Sequence, residues 1–147
     1  MIRRTATALG ATLALTAAAL AQPTSVKSAN DFTTTLDKLR AAIEASPASI
    51  ISEVDHAKGA ASVDMELKPT TLVIFGNPAA GTQLMMADPT AGLSLPMKML
   101  VTETDEGVMV VYEDPKTLTE KHELGEAAAV TEKMSGLVGK LAEAAAN

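Results

Sequence analysis

The sequence contains no cysteine, no tryptophan and only two histidines. Without cysteine there is no disulfide, no thiolate metal site and no cysteine nucleophile. Two histidines without cysteine do not complete a closed zinc site. Two phenylalanines and one tyrosine leave no stacking platform for nucleobases. The absences therefore exclude thiol chemistry and argue against recognition of single-stranded nucleic acid.

Positive charge is also scarce, and the net charge at pH 7 is −6. Residues 1–21 contain two arginines and no acidic residue, so the chain without them has a net charge of −8. An acidic domain of this size repels nucleic acid and anionic membrane surfaces. We therefore expect no nucleic-acid partner.

Residues 1–21 have the three-part pattern of a secretory signal peptide. Arg3 and Arg4 give a positive start, a run of Ala, Leu and Thr follows, and Ala-Leu-Ala at positions 19–21 fits a cleavage site. The run is short and alanine-rich for a membrane span. We expect cleavage between Ala21 and Gln22, a periplasmic or secreted protein and no stable membrane anchor.

The most strongly patterned stretch is Leu67–Leu84, which contains an apolar strand at 70–75 rich in β-branched residues. Both faces of this strand are largely apolar, which predicts a central strand covered on both sides. Gly76 and Gly81 permit backbone angles that other residues resist, and Asn77 precedes a proline, which is a turn signal. We therefore predict a long loop after the strand. A nucleotide phosphate loop is not favoured, because its lysine is absent.

The remaining pattern completes a single domain at 22–125, followed by a C-terminal amphipathic helix at 126–147 that packs on or beside it. A first helix is predicted to begin at a capping box of Ser28 and Asp31. A hairpin is predicted with Gly107 in its turn. The strand order lacks βαβ repetition, which predicts an α+β fold with two layers, an antiparallel sheet and helices on one face. Further strands are expected at 24–27, 49–56, 97–103 and 108–113, with short helical segments at 57–63 and 116–122.

Several of these residues form a recognisable motif set. Asp55-His56 is followed by F-G-N-P-A-A-G-T at 75–82 and by G-L-S-L-P-M-K at 92–98. This set resembles the bacterial domain of unknown function 302, over roughly residues 26–122. The resemblance implies a compact α+β domain that often associates as a homodimer. It implies no established activity.

Our leading hypothesis is a non-enzymatic module that binds a small apolar or amphipathic ligand, or a partner protein, between the sheet and the loop 76–96. His56 and Asn77 are expected to line one pocket. The simpler alternatives are a hydrogen-bonded structural His56 and a purely structural turn at Asn77. Asp55 and His56 point to opposite faces of a strand, so they do not form an acid–base pair there. The candidate binding residues are Asp55, His56, Gly76, Asn77, Gly81, Thr82, Met85, Met86 and Lys98.

Two other hypotheses stay open. Eight methionines in a cysteine-free chain suggest a copper-handling protein, because thioether sulfur is a soft ligand; methionine also fills gaps where aromatic residues are few. An enzyme is the third hypothesis, although the sequence offers no pair of nucleophile and base and no catalytic residue is assigned. The candidate copper ligands are His56, Met85, Met86, Met97 and Met99.

Overall fold

A computed structural model describes residues 22–147, so the predicted signal peptide lies outside the described residues. The strands are β1 Thr24–Lys27, β2 Ser49–Asp55, β3 Thr70–Gly76, β4 Met97–Thr104 and β5 Gly107–Tyr112. All neighbouring strands pair antiparallel, in the order β1-β5-β4-β3-β2. The predicted α+β class is confirmed.

Two long helices pack against each other and against one side of this sheet. Their apolar stripes bury Leu39 and Ile43 from the first helix and Val138 and Leu141 from the last. Burial of these stripes, more than helix propensity, holds such helices in place. The helices are α1 Phe32–Glu44, α2 His56–Ala61, α3 Pro78–Ala87, α4 Leu118–Lys121 and α5 Ala128–Ala146, with 3₁₀ helices at Pro89–Leu93, Pro115–Thr117 and Gly125–Ala127.

The two faces of β3 differ in burial. Val73 and Phe75 are fully buried against the helices, whereas Leu72 and Ile74 on the other face are only half-buried. Successive side chains of a strand alternate between faces, and both long helices pack on the same face. The expectation that β3 is covered on both sides is therefore wrong, and the predicted two-layer arrangement is confirmed.

Residues 76–96 do not form a long loop. Asn77 is the N-cap of α3, with its side chain accepting from the backbone N–H groups of Ala79 and Ala80, and Pro78 occupies the first turn. Proline suits this position because its missing N–H needs no partner there. The Asn-Pro pair, which we interpreted as a turn, is thus a helix start, and a 3₁₀ helix follows directly.

The starts of helices α2 and α1 also differ from the prediction. β2 ends at Asp55, and His56 begins α2 instead of extending the strand. The cap of α1 is Asp31 alone, because its carboxylate accepts from the N–H of Thr34. The Ser28 hydroxyl instead hydrogen-bonds to that of Thr35, at 2.7 Å. The predicted capping box is therefore wrong.

The glycines of the patterned stretch have ordinary backbone angles. Within residues 22–147, the glycines at positive φ are Gly107 and Gly125. Gly107 lies in the β4–β5 hairpin as predicted. Gly76 belongs to β3 and Gly81 to α3, so the expectation that they supply unusual backbone angles is wrong.

Candidate functional site

One cavity, here called the α3 cavity, lies where β3 ends, α3 begins and β4 starts. Gly76 ends β3 beside it, and Gly81 lies on the face of α3 that borders it. Its volume is about 390 Å³. The cavity therefore occupies the region in which we expected a ligand, but a helix borders it where a loop was predicted.

The wall of the α3 cavity is mostly apolar and carries no ionisable side chain. Polar side chains come from Ser49, Asn77 and Thr82. Methionine has three rotatable bonds and adapts to ligands of different shape. The apolar side chains are Ile51, Pro78, Ala80, Met85, Leu95, Pro96, Met97 and Met134.

Asn77 is committed to the fold. Its Oδ1 accepts from the N–H of Ala79 at 2.9 Å and of Ala80 at 3.4 Å. Its Nδ2 donates to the carbonyl of Pro47 at 3.0 Å. Both polar atoms of the side chain are thus engaged by backbone groups. Asn77 positions the rim of the α3 cavity and ties α3 to the segment before β2.

The structure brings five of the nine candidate binding residues together. The members that line the α3 cavity are Gly76, Asn77, Gly81, Thr82 and Met85. Met86 is 80% exposed and does not line the α3 cavity. Lys98 borders a neighbouring cavity instead.

Asp55 and His56 lie at the other end of β3. Asp55 pairs with Thr71, whereas the start of β2 pairs with Gly76 at the cavity end. At about 3.3 Å per residue, the chain from Thr71 to Asn77 spans about 20 Å. The expectation that His56 and Asn77 line one pocket is therefore wrong. Asp55 accepts from the N–H of Lys58 and caps α2, and the exposed His56 begins that helix.

The copper ligand set is not assembled as expected. Met85 and Met97 line the α3 cavity together. Met86 lies outside it, Met99 is fully buried in the core, and His56 is at the far end of β3. Across residues 22–147 no group of three or more His, Cys, Asp or Glu side chains is placed to hold a metal ion. Met134, from α5, lines the α3 cavity with Met85 and Met97. The sequence periodicity predicted that Met134 faces the core, but it did not predict this position.

A second cavity of about 240 Å³ adjoins the first, because Leu95 and Met97 line both. It is here called the Ser94 cavity. Apolar side chains from the sheet and α4 line it, together with the polar or charged residues Ser94, Lys98, Tyr112, Glu113 and Asp114. Sequence reasoning missed Ser94, since a serine between two leucines carries no pattern of its own. Only the fold places it at a cavity.

Comparison with known proteins gives the family context. A family model described as "Domain of unknown function DUF302" matches residues 24–141. A solved structure, "Crystal structure of uncharacterized conserved protein DUF302 from Bacillus stearothermophilus", superposes with a TM-score of 0.76 at 10% identity. The match covers 84% of this chain and 97% of that one. At this identity the likeness supports the fold alone.

Curated relatives extend beyond the matched region. The "Fluoride-specific ion channel FluC 1" of Brucella suis biovar 1 is 37% identical over 101 residues, or 68% of this chain and 40% of that protein. The protein of the same description from Brucella abortus biovar 1 is also 37% identical, over 37% of its length. The chain thus spans about two fifths of these relatives. None of the helices within residues 22–147 has the length and apolarity needed to cross a bilayer.

Proposed function

We infer that this chain, which belongs to the DUF302 family, is an exported module that binds a small apolar or amphipathic molecule in the α3 cavity without converting that molecule chemically. The observation that carries the proposal is a cavity of about 390 Å³ whose wall has no ionisable side chain. Cavities of this size with apolar walls and few polar groups are typical of small-molecule sites.

The wall chemistry supports an apolar ligand body with a small polar end. Met85, Met97 and Met134 offer adaptable contacts, while the hydroxyls of Ser49 and Thr82 supply hydrogen bonds that orient a ligand. Burial of apolar ligand surface provides the driving force. Asn77 contributes indirectly by fixing the start of α3.

A matched pair of α3 variants tests the cavity as the binding site. Ala80 lines the α3 cavity and Ala79 does not. In a fluorescence titration with 1-anilinonaphthalene-8-sulfonate, Ala80→Phe should fill the cavity and weaken binding by about tenfold or more, roughly 1.4 kcal/mol. Ala79→Phe, the control, should bind like the unchanged protein. Equal binding by all three proteins would exclude the α3 cavity as the site of this probe.

Native mass spectrometry of the protein purified from the periplasm of the cells that naturally produce it identifies the class of the bound ligand. A bound organic mass that is lost in Ala80→Phe supports the proposal. A copper mass would favour the copper-handling hypothesis instead. Protein that carries neither mass and does not bind the probe would contradict a binding role.

Export is part of the proposal and rests on the pattern of residues 1–21. The intact mass of the exported form should correspond to a chain that begins at Gln22. Retention of residues 1–21 on protein found in the membrane fraction would overturn this part. The result does not affect the binding proposal.

A second candidate is a domain that accompanies fluoride handling, which the description of the Brucella relatives favours. The match covers 40% and 37% of those proteins, so their description also concerns a part of them that lies outside the match. A ¹⁹F NMR titration of sodium fluoride with the purified protein tests direct binding. Broadening that chloride does not compete away supports the candidate, and an unchanged fluoride resonance overturns it.

A further inference from the structure

A polar cluster surrounds His122, where the 3₁₀ helix Pro89–Leu93 meets the end of α4. The side chain of His122 is 7% exposed. Its Nδ1 lies 3.1 Å from the Thr90 hydroxyl, and its Nε2 lies 2.9 Å from the Ser94 hydroxyl. An Asp88 carboxylate oxygen is 3.6 Å from Nδ1. Both ring nitrogens therefore have partners in an almost enclosed site.

The hydrogen bonds of the cluster determine which nitrogen of neutral His122 carries the proton. The Thr90 hydroxyl donates its single proton to Asp88, at 2.7 Å. The same oxygen can then only accept from the imidazole, so Nδ1 carries the hydrogen. Nε2 is left with a lone pair and accepts from the Ser94 hydroxyl. This is the tautomer in which a histidine can take a proton from a serine.

The charge on Asp88 supports this assignment. The hydroxyl and the backbone N–H of Thr90 both donate to its carboxylate, and these hydrogen bonds lower the pKa of Asp88 below its usual value. The N–H of Glu123 donates to the other oxygen, at 3.2 Å. An ionised Asp88 only accepts hydrogen bonds, so the direction of donation along the cluster is fixed.

Ser94 is accessible from the Ser94 cavity, which gives the cluster a place for a substrate. Apolar side chains such as Leu72 and Leu118 line part of this cavity, which suits a short acyl chain, and Glu113 and Asp114 line it as well. Lys98 borders it as well, with its Nζ 3.5 Å from the Ser94 carbonyl oxygen. A cation at this position can stabilise negative charge that develops on an oxygen beside Ser94.

We propose that Ser94 is a nucleophile toward small carboxylic esters, that His122 is its general base, and that Thr90 and Asp88 are positioning residues that hold the imidazole in the required tautomer. This activity goes beyond the proposed ligand binding. It uses the Ser94 cavity and does not depend on what the α3 cavity holds.

The reaction proceeds in two balanced steps. Ser94 Oγ attacks the ester carbonyl carbon while its proton moves to His122 Nε2; the ester C–O bond then breaks, and the leaving alcohol takes that proton. Water next attacks the acyl-serine and gives a proton to Nε2, which returns it to Ser94 Oγ as the carboxylic acid leaves. Lys98 Nζ stabilises the oxyanion in both steps.

Labelling with an alkyl fluorophosphonate tests the nucleophile directly, because attack of Oγ on phosphorus releases fluoride and leaves a stable adduct. In the purified protein, peptide mapping should find the adduct on Ser94 and none on the exposed Ser52. His122→Gln should slow labelling by about a hundredfold or more, which is the range of general-base catalysis. A folded protein without an adduct on Ser94 overturns the proposal, as does equal labelling in His122→Gln.

The positioning role has a separate readout. Thr90→Val removes the oxygen that accepts from Nδ1 and should slow labelling by about tenfold, whereas Thr90→Ser should restore it. Long-range ¹H–¹⁵N NMR spectra of His122 should show the hydrogen on Nδ1 in the unchanged protein and in Thr90→Ser. A hydrogen on Nε2 in the unchanged protein would contradict the mechanism and leave the cluster as a structural link.

Discussion

A capped helix begins at each end of the β2–β3 pair, and the two helices differ in how much they bury. At one end Asn77 caps α3, and at the other end Asp55 caps α2, each through a side-chain oxygen that accepts backbone N–H groups. Helix α3 buries Leu84 completely and borders a cavity, whereas α2 buries none of its residues. The comparison shows that both motif residues at the strand ends, Asp55 and Asn77, serve as helix caps. The packing of the capped helix decides whether a site forms.

The largest difference in stability between the two ends should come from Leu84, the buried residue of α3. Leu84→Ala should lower the free energy of unfolding by about 2–5 kcal/mol, because it removes a fully buried side chain and leaves a void. His56→Ala, at the exposed start of α2, should change it by less than about 0.5 kcal/mol. Urea unfolding of both variants measures this. If His56→Ala lowered the free energy of unfolding as much as Leu84→Ala, the start of α2 would have to pack into the core, which contradicts this comparison.

A smaller difference is expected between the two caps. Asn77→Ala removes a cap and the bond to the Pro47 carbonyl, so it should cost about 1–2 kcal/mol. Asp55→Ala should cost about 0.5–1 kcal/mol, because α2 is unpacked and its fraying relieves part of the loss. Thermal unfolding under identical conditions compares them. A larger loss of stability in Asp55→Ala than in Asn77→Ala would contradict the view that the packing of a helix determines how much its cap stabilises the protein.

The smallest effect should be a gain in stability at Gly81. Glycine inside a helix is less favourable than alanine by about 0.5–1 kcal/mol, and a Cβ at Gly81 would lie 3.8 Å from Leu95 Cδ1, an ordinary contact. Gly81→Ala should therefore stabilise the protein by up to about that amount. Gly59→Ala in α2 is the matched control and should gain less, since α2 adds little to the cooperative fold. A loss of stability in Gly81→Ala would mean that α3 is strained at this position.

Much of the fold could be predicted from the sequence because its signals are local. The β-branched run of β3, the apolar stripe of α1 and the glycine of the β4–β5 hairpin each indicate their element without knowledge of the rest. Helix α3 escaped prediction because Leu84 is its only buried residue, so it has no apolar stripe. An asparagine cap followed by proline was the signal that could have revealed it.

The candidate site was predictable only in part, because it depends on strand register. Asp55-His56 and Asn77 belong to one motif set, but the pairing of β2 with β3 places them at opposite ends. The register of two paired strands depends on the turn that joins them and on the strands that pair with them, so it cannot be read from the sequence of either strand. The cluster of His122, Thr90 and Ser94 joins residues about thirty positions apart, and no local pattern connects them. Met134 reaches the α3 cavity from a helix whose packing position was not known.

Methionine-methyl NMR tests the central claim, that the α3 cavity binds a small amphipathic molecule, with probes already in the chain. In protein carrying ¹³C-methyl methionine, 1-anilinonaphthalene-8-sulfonate should shift the methyl signals of Met85, Met97 and Met134, which line the cavity. The signals of Met65 and Met86, exposed outside it, should stay in place at the same probe concentration. Shifts confined to Met65 and Met86, with the three cavity methionines unchanged, would contradict the proposed site.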